Sequence, residues 1–293
     1  MAAGMNVLLA IDSSTESDLA IKAVAARPWP ASTTIDVLTV VEPIYTSEIH
    51  DLMNTLKQQA HEVVEAAAQQ LRSSGIRPTT MLVLCGNPKG VIVEHARRTD
   101  TGLIVVGSHR VAAAGAFLRG SVARAVVRFA PCSVEVIRGE ASAGAMKILL
   151  ATDGSRWSEA AARSLAECPW PSGTQLRILS VGDHRTRLYS AGHRIEARVM
   201  EKLQQEAMER AQQAVSCAEE IMQGRFPVSA IVAASLAAPK ELILKEAADW
   251  NANLIVLGCN GEGGLARLLL GSVSEAVAMH ASCSVEVIRS GQS

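Results

Sequence analysis

The stretch from residue 254 to 272, LIVLGCNGEGGLARLLLGS, places three glycines and a serine at set intervals after an apolar run. Gly258 ends the run, Gly261 follows it, and nine residues separate Gly261 from Gly271-Ser272. Glycine tolerates positive φ and leaves backbone N–H groups open to a ligand, because it has no Cβ. If Gly271-Ser272 opens a helix, the free N–H groups there attract an anion. We therefore expect this segment to wrap a phosphate chain, with the Ser272 hydroxyl as a phosphate donor or as the helix N-cap.

A carboxylate elsewhere in the chain supports this interpretation over the simpler one, in which these glycines are turn and cap residues. Asp153 follows another apolar run, in LLATDGS, where a strand is expected to end. In a parallel sheet, ligands bind beyond the carboxyl ends of the strands, where the strand order reverses. There Asp153 would suit a ribose or the edge of adenine, or would help to hold a metal that bridges phosphates.

The whole pattern occurs twice, so the chain is a tandem repeat. Asp12 in LLAIDSS precedes Asp153 in LLATDGS by 141 residues, and Gly107 in LIVVG precedes Gly258 in LIVLG by 151. The segment CSVEVIR occurs unchanged at 132–138 and 283–289. A linker rich in small residues joins the copies. We predict domain 1 at residues 1–140 and domain 2 at 146–293.

Strand and helix signals alternate within each copy. Short connections between such elements imply parallel strands with right-handed crossovers. In domain 1, Ser13 and Glu16 suggest a capping box at the first helix, and Gly75 suggests the end of a long second helix. The predicted strands are 7–11, 35–41, 81–85, 103–106 and 134–137 in domain 1, and 148–151, 176–181, 229–234, 254–257 and 285–288 in domain 2. The sequence thus predicts an α/β fold of two tandem doubly wound domains, each with a five-stranded sheet flanked by helices.

Composition narrows the classes of function. The 293 residues are 48% hydrophobic, 19% charged and 3% aromatic, and the formal net charge is −1. Without a run of Lys and Arg, we expect binding neither to nucleic acid nor to an anionic membrane. No apolar run reaches the length of a transmembrane helix, and the N-terminus lacks the features of a signal peptide. The six cysteines form no CxxC pair, so we expect a reduced, cytoplasmic setting and no metal site.

The combined motifs resemble the universal stress protein family. They are the glycine spacing Gly-x-x-Gly-(nine residues)-Gly-Ser, the Asp-Gly-Ser after the first strand of domain 2, the Gly-Asn-Pro at 86–88 and the closing CSVEVIR strand. The resemblance covers almost the whole chain as two copies. It implies a strand order of 3-2-1-4-5 and, in one subgroup of the family, ATP bound in the crevice beyond strands one and four.

The resemblance carries binding roles over to individual residues. In domain 2 they are Asp153 and the backbone of Val181 for adenosine, and Gly258, Gly261, Gly271 and Ser272 for ribose and phosphates. The weaker candidates of domain 1 are Asp12, Val40, Gly107, Gly120 and Ser121.

Each copy departs from the family pattern. Domain 1 has Ser13 in place of the glycine of Asp-Gly-Ser, and Arg110 in place of the second loop glycine. The Arg110 guanidinium would either fill the phosphate space or grip a phosphate, and we favour occlusion or weaker binding. Domain 2 lacks the Gly-Asn-Pro and reads LAAP at 236–239. We therefore expect nucleotide mainly in domain 2.

The fifth strand of each copy is expected at a sheet edge, and an unprotected edge needs a partner. We predict that 134–137 pairs with 285–288 about a pseudo-two-fold axis, which makes the chain an intrachain pseudo-dimer. The alternative is that charges protect the two edges separately. The sequence leaves open whether whole chains also form a homodimer.

Three functions stay open at this stage. The first is an ATP-binding regulatory protein of the stress response, with ATP alone or with Mg²⁺ and with an unidentified protein partner. The second is an interaction scaffold that binds no nucleotide, and the third is a slow ATPase. No catalytic residue is assigned, because no general base is evident near the expected γ-phosphate.

Overall fold

The computed structural model describes residues 4–43, 50–108, 120–139, 144–182, 197–222, 224–225, 227–234, 237–261 and 270–289. The elements of domain 1 are β1 (Asn6–Ala10), α1 (Thr15–Ala26), β2 (Thr34–Val41), α2 (His50–Ser73), β3 (Thr80–Cys85), α3 (Pro88–Arg98), β4 (Leu103–Gly107), α4 (Ser121–Phe129) and β5 (Ser133–Ile137). Those of domain 2 are β6 (Lys147–Thr152), α5 (Arg156–Glu167), β7 (Gln175–Gly182), α6 (Ala197–Ile221), β8 (Val228–Ala234), α7 (Pro239–Asp249), β9 (Leu254–Gly258), α8 (Ser272–His280) and β10 (Ser284–Ile288).

All ten strands belong to one sheet, in the order β3-β2-β1-β4-β5-β10-β9-β6-β7-β8. Each domain therefore has the predicted order 3-2-1-4-5, and strands within each domain pair in parallel. The predicted α/β fold is confirmed. In each domain the order reverses between the first and fourth strands, which places their carboxyl ends beside one crevice.

The central strands are almost continuously apolar because helices cover both faces of the sheet. One buried cluster in each domain lies under the first two helices of that domain. A third cluster, on the opposite face, draws buried side chains from both domains, including Val134 and Val285. The two domains thus share a core.

The predicted pairing of the fifth strands is confirmed. β5 and β10 are antiparallel, with Glu135 directly opposite Glu286 and Val136 opposite Val285. At each end, a serine hydroxyl of one domain accepts the backbone N–H of an arginine in the other: Ser284 with Arg138 at 3.0 Å, and Ser133 with Arg289 at 3.1 Å.

The helix starts follow capping chemistry, with one correction to the sequence prediction. Ser14, not Ser13, is the N-cap of α1, and its side chain accepts the Ser17 N–H. Ser155 caps α5 in the same way through Ser158. Gly75 ends α2 as predicted, with φ of 83°. Among the described residues, no helix is both long enough and apolar enough to cross a membrane.

Candidate functional site

A cleft of about 750 Å³ lies at the carboxyl ends of β6, β7 and β9 in domain 2, beside the start of α8. Its walls come from segments far apart in the sequence. They include all six residues that the sequence analysis assigned to domain 2: Asp153, Val181, Gly258, Gly261, Gly271 and Ser272. The fold therefore brings together the two halves of the expected site, the carboxylate after the first strand and the glycine segment after the fourth.

The conformational role expected for Gly258 and Gly261 is corrected by the structure. Neither residue has positive φ. A Cβ on Gly258 would lie 2.5 Å from the carbonyl carbon of Trp157, so this glycine lets α5 pack closely on β9. Gly107 does the same in domain 1, where a Cβ would lie 2.5 Å from the Glu16 carbonyl oxygen. These two glycines serve helix–strand packing first.

Gly261 has a different steric constraint. A Cβ at this position would lie 2.6 Å from Oδ2 of Asp153. Any larger residue at 261 therefore displaces the Asp153 carboxylate or moves the loop backbone. Residues 262–269 of the loop lie outside the described residues, as do Arg110 and the rest of 109–119 in domain 1. The two expectations for Arg110 thus stay predictions.

The N-terminus of α8 faces the cleft without a side-chain cap. Gly271 is the N-cap and Ser272 is the first helical residue, so Ser272 is not the N-cap. The first-turn residues Ser272, Val273 and Ser274 all line the cleft. The Ser274 hydroxyl donates to the Gly258 carbonyl at 2.7 Å, which ties the helix start to the end of β9. The first N–H groups of a helix have no intrahelical acceptor, so they are available to an anion here.

Asp153 is held by the turn that follows β6. Its Oδ1 accepts the Ser155 N–H at 3.1 Å, and Gly154 between them has φ of 78°, a conformation that glycine adopts readily. This turn directs the chain from the strand into α5 and places the carboxylate in the cleft wall. Asp153 is the one acidic side chain among the described residues that line the cleft.

Ser180 and Arg210 are polar residues of the cleft to which the sequence alone assigned no role. Ser180 is 1% exposed, yet its hydroxyl has no hydrogen-bond partner among the described residues. Arg210 on α6 is the one cationic side chain among the described lining residues. Ser180 lies in the predicted strand 176–181, where it would be an ordinary strand position. The signal that could have found Ser180 is a hydroxyl in a buried apolar strand, since buried polar groups usually have partners.

The cleft continues into a smaller cavity of about 300 Å³ between α5 and α6. Thr152, Asp153, Ser158 and Arg210 line both cavities. Arg210 and Asp153 therefore both belong to the wall that the two cavities share.

The equivalent carboxylate of domain 1 is bonded differently. Oδ1 of Asp12 accepts the Ser14 N–H at 3.0 Å, the Ser17 hydroxyl at 2.7 Å and the Ser14 hydroxyl. The first helix of domain 1 thus engages the Asp12 carboxylate with three donors. Ser13, which stands where domain 2 has Gly154, does not have positive φ.

In domain 2 the serine that corresponds to Ser17 bonds elsewhere. The Ser158 hydroxyl donates to the Ser155 carbonyl at 2.9 Å and accepts from the Thr152 hydroxyl at 3.1 Å. Thr152 replaces Ile11 of domain 1, which has no hydroxyl. Thr152 thus supplies the Ser158 hydroxyl with a hydrogen bond that Ile11 cannot supply to Ser17.

The other candidates of domain 1 lie at the corresponding strand ends. Val40 is in β2, Gly107 ends β4, Gly120 is the N-cap of α4 without a side-chain cap, and Ser121 is the first residue of α4. Asn87 of the Gly-Asn-Pro motif caps α3, because its side chain accepts the Lys89 N–H at 3.1 Å. In domain 2, Glu241 instead accepts the Ala238 N–H, and Pro239 lines the cleft. The missing motif is thus compensated at the helix start.

The described residues offer neither a metal cluster nor an ionised thiol at the cleft. No group of three metal-ligating side chains occurs among them. Cys259 is buried beside the cleft, and burial raises the pKa of its thiol. Burial likewise raises the pKa of Cys283 to about 11 and that of Cys132 to about 12. These cysteines act as small buried side chains.

The fold and the cleft define a class: tandem doubly wound α/β proteins with an anion-compatible crevice at the topological switch point. Comparison with known proteins then identifies the family. The model of the universal stress protein family matches residues 5–138 and 145–289, so the chain belongs to the universal stress protein family. The predicted resemblance and the tandem arrangement are confirmed, and family membership supports a role in the stress response.

Relatives of similar length have the same arrangement. A universal stress protein of Mycolicibacterium smegmatis is 28% identical over 300 residues, which cover 97% of this chain and 96% of that protein. The crystal structure of a universal stress protein from Archaeoglobus fulgidus has a TM-score of 0.68 at 21% identity and covers 98% and 97% of the two chains. A functionally unknown protein from Pseudomonas aeruginosa has a TM-score of 0.61 at 16% identity, with coverage of 98% and 92%. At these identities, the two structures show the fold alone.

Proposed function

We propose that the protein binds an adenine nucleotide, ATP in the first place, in the domain 2 cleft, and that occupancy of this cleft regulates its contact with a protein partner. The observation that carries the proposal is the convergence of Asp153, the Gly258–Gly261 segment and the uncapped start of α8 on one cleft. These groups come from three separate parts of the sequence and supply a carboxylate, a close backbone approach and free N–H groups.

The chemistry of the cleft fits the parts of a nucleotide. Its volume of about 750 Å³ is within the range of cofactor pockets. The N–H groups at the start of α8 suit phosphate oxygens, and Asp153 suits the hydroxyls of a ribose. Apolar side chains that line the cleft, among them Leu179, Val181 and Ile243, offer a surface for a flat base.

The residues that line the cleft also determine which protein ligands are available to Mg²⁺. Asp153 is the one carboxylate among the described lining residues, so the protein supplies few oxygen ligands. Mg²⁺ commonly binds through one or two carboxylates together with substrate phosphates and water. We therefore expect Mg²⁺ to arrive with the nucleotide and to be coordinated mainly by its phosphates.

The experiment that tests the proposal is calorimetric titration of the full chain with Mg-ATP. We expect one nucleotide per chain, because the hydroxyls of Ser14 and Ser17 already donate to the domain 1 carboxylate. We expect Gly261→Arg to lower the affinity at least about tenfold, since the new side chain displaces Asp153 and adds a cation beside it.

Asp153→Asn and Asp12→Asn form a matched pair for the same titration. Loss of the carboxylate at 153 should weaken binding, whereas the equivalent change at 12 should leave the affinity as it was. No heat of binding with the unaltered protein would overturn the proposal in favour of a nucleotide-independent scaffold. An affinity lowered by Asp12→Asn but not by Asp153→Asn would show that the site is not in domain 2.

A further inference from the structure

A buried charge cluster spans the junction between the two domains, away from the cleft. Arg27 follows the last residue of α1, and its guanidinium contacts a carboxylate of each domain. Nη1 lies 2.8 Å from Oε2 of Glu135 on β5, and Nη2 lies 3.0 Å from Oε2 of Glu286 on β10. The side chains of Arg27, Glu135 and Glu286 are 9%, 11% and 6% exposed.

Two tryptophans enclose the guanidinium between them. Its carbon lies 4.9 Å from the ring centroid of Trp29 and 4.5 Å from that of Trp170, distances typical of cation–π contacts. Each indole N–H is fixed by a backbone carbonyl of the helix that precedes it: Trp29 by Val24 at 2.8 Å, and Trp170 by Leu165 at 3.0 Å. The aromatic walls thus obey the internal two-fold symmetry of the chain.

The charges do not obey that symmetry. Glu135 and Glu286 are equivalent positions of the repeat and lie directly opposite each other in the β5–β10 ladder. The position equivalent to Arg27 is Cys168, 141 residues later. One cation therefore faces two carboxylates, and like charges directly opposite in a ladder repel each other.

We propose that the Arg27 cation determines whether two fifth-strand edges can pair: each edge brings a buried glutamate, and two edges pair only when at least one of them also brings an arginine to the position of Arg27 or Cys168. A pair of two domain 2 edges would place two Glu286 carboxylates opposite each other with two cysteines and no cation. Burying unpaired carboxylates is strongly unfavourable. A second copy of domain 2 is thereby excluded as a partner of β10, whereas the arginine-bearing edge of domain 1 is accepted.

Because the cluster has two carboxylates and one cation, its protonation should depend on pH. Among the described residues, the titratable side chains that face the cluster from α1, α5, β5 and β10 are Arg27, Cys168, Glu135 and Glu286, with Glu167 exposed at the end of α5. Burial raises the pKa of the Cys168 thiol to about 11, so it carries no charge at neutral pH. Burial and Glu286 raise the pKa of Glu135 to about 7, against the lowering by Arg27.

The free energy of unfolding depends on pH because the folded and unfolded states bind different numbers of protons. A carboxyl whose pKa is higher in the folded than in the unfolded state binds more protons when folded. Its contribution to the free energy of unfolding is therefore complete below about pH 4.5 and is lost as pH rises through about 7. The junction should be firmest in mildly acidic solution and looser above neutral pH.

The test exchanges the two asymmetric positions in the full chain. Hydrogen exchange, corrected for its intrinsic pH dependence, is measured for the β5 and β10 amides at pH 5 and pH 8, with β1 and β6 as internal references. Arg27→Cys should speed exchange at β5 and β10 by at least about tenfold at pH 8, equivalent to one pKa unit, and by much less at pH 5. The double variant Arg27→Cys/Cys168→Arg, which moves the cation to the mirror position, should restore slow exchange.

Two further variants keep the proposal open to refutation if Arg27→Cys fails to fold. Glu135→Gln removes the surplus carboxyl and should abolish the difference between pH 5 and pH 8 while β5 and β10 stay protected. Cys168→Arg alone adds a second cation and should also flatten the pH dependence. An unrescued double variant, or an unchanged pH dependence in Glu135→Gln, would overturn the proposal.

Discussion

At the scale of single residues, the two copies of the repeat differ by a few side chains with large chemical consequences. The Ser17 hydroxyl of α1 donates to Asp12, whereas the equivalent Ser158 hydroxyl of domain 2 donates to the Ser155 carbonyl and accepts from Thr152. A second difference lies one strand over. Thr39 in β2 donates its hydroxyl to the Ile11 carbonyl at 2.9 Å, while the hydroxyl of the equivalent Ser180 has no partner in the part of the chain that the structure describes. The second difference leaves the Ser180 hydroxyl of domain 2 for a ligand.

Substitution of Ser180 should change the affinity for ATP without lowering the free energy of unfolding. Ser180→Ala removes a buried hydroxyl that has no bond in the ligand-free protein, so the free energy of unfolding should stay equal or rise by up to about 1 kcal/mol. If a bound nucleotide uses the hydroxyl, ATP affinity should fall about threefold to tenfold. Chemical denaturation and calorimetric titration measure the two effects.

Thr39→Val in domain 1 is the matched control. It breaks an existing bond and leaves the Ile11 carbonyl without its donor, so it should destabilise the protein by about 1 kcal/mol and leave ATP affinity unchanged. If Ser180→Ala destabilised the protein as Thr39→Val does, the hydroxyl would have a structural partner and no role for the ligand.

At the scale of elements, the two CSVEVIR segments explain how each fifth strand secures the other domain. Arg138, just after β5, donates from Nη2 to the Ala278 carbonyl in α8. Arg289, just after β10, donates from Nη2 to the Val127 carbonyl at 3.0 Å and the Arg128 carbonyl at 3.3 Å in α4. Carbonyls in the last turn of a helix have no intrahelical donor, and a cation there also suits the helix dipole.

Exchange of these arginines for methionine tests whether their bonds to the helix of the other domain stabilise the protein. Arg138→Met and Arg289→Met should each lower the free energy of unfolding by about 1–3 kcal/mol, because buried carbonyls lose a charged donor. Lysine at either position keeps the charge but has a single ammonium donor group, so it should recover part of the loss. Urea denaturation measures each value, and a methionine variant as stable as the parent would contradict the role.

At the scale of the whole molecule, the ten-stranded sheet makes one folding unit of two homologous domains. One core cluster includes Leu8 and Val134 of domain 1 together with Leu149 and Val285 of domain 2. The β5–β10 junction lies in the middle of the sheet, so its separation would expose apolar side chains of both domains.

The shared core predicts cooperative unfolding. We expect a single thermal transition for the full chain at neutral pH, with a calorimetric enthalpy equal to the van't Hoff enthalpy. ATP bound in domain 2 should shift this one transition upward for both domains, because ligand binding to the native state stabilises the whole unit. Two resolved transitions, with only one shifted by ATP, would show that the domains unfold independently.

Much of the architecture was predictable from sequence because it depends on local patterns. Apolar runs predicted all ten strands to within about two residues. The repeat offsets identified the two copies and the pairing of their fifth strands, since an exposed edge in one copy implies the same edge in the other. The spacing of Gly258, Gly261 and Gly271 and the position of Asp153 placed the candidate cleft, because strand order and carboxyl ends follow from the fold.

Other features depended on register and on contacts between distant segments. Close packing at Gly258 involves the backbone of Trp157, which sequence spacing does not reveal. The missing partner of Ser180 depends on what surrounds it in three dimensions. Arg27 and Glu286 are separated by 259 residues and meet because β5 and β10 pair in one particular register.

The sequence by itself determined that this protein is a tandem universal stress protein with one intact glycine segment and one altered by Arg110. Hydrophobic periodicity and motif spacing suffice for this, because both are properties of neighbouring residues in the sequence. The tertiary structure decided that serine hydroxyls donate to Asp12, that the Ser180 hydroxyl lacks a partner among the described residues, and that Arg27 lies between the two domains. These depend on hydrogen-bond geometry and on charges brought within about 3 Å of each other across the junction, where the strength of an ion pair is set by distance and burial.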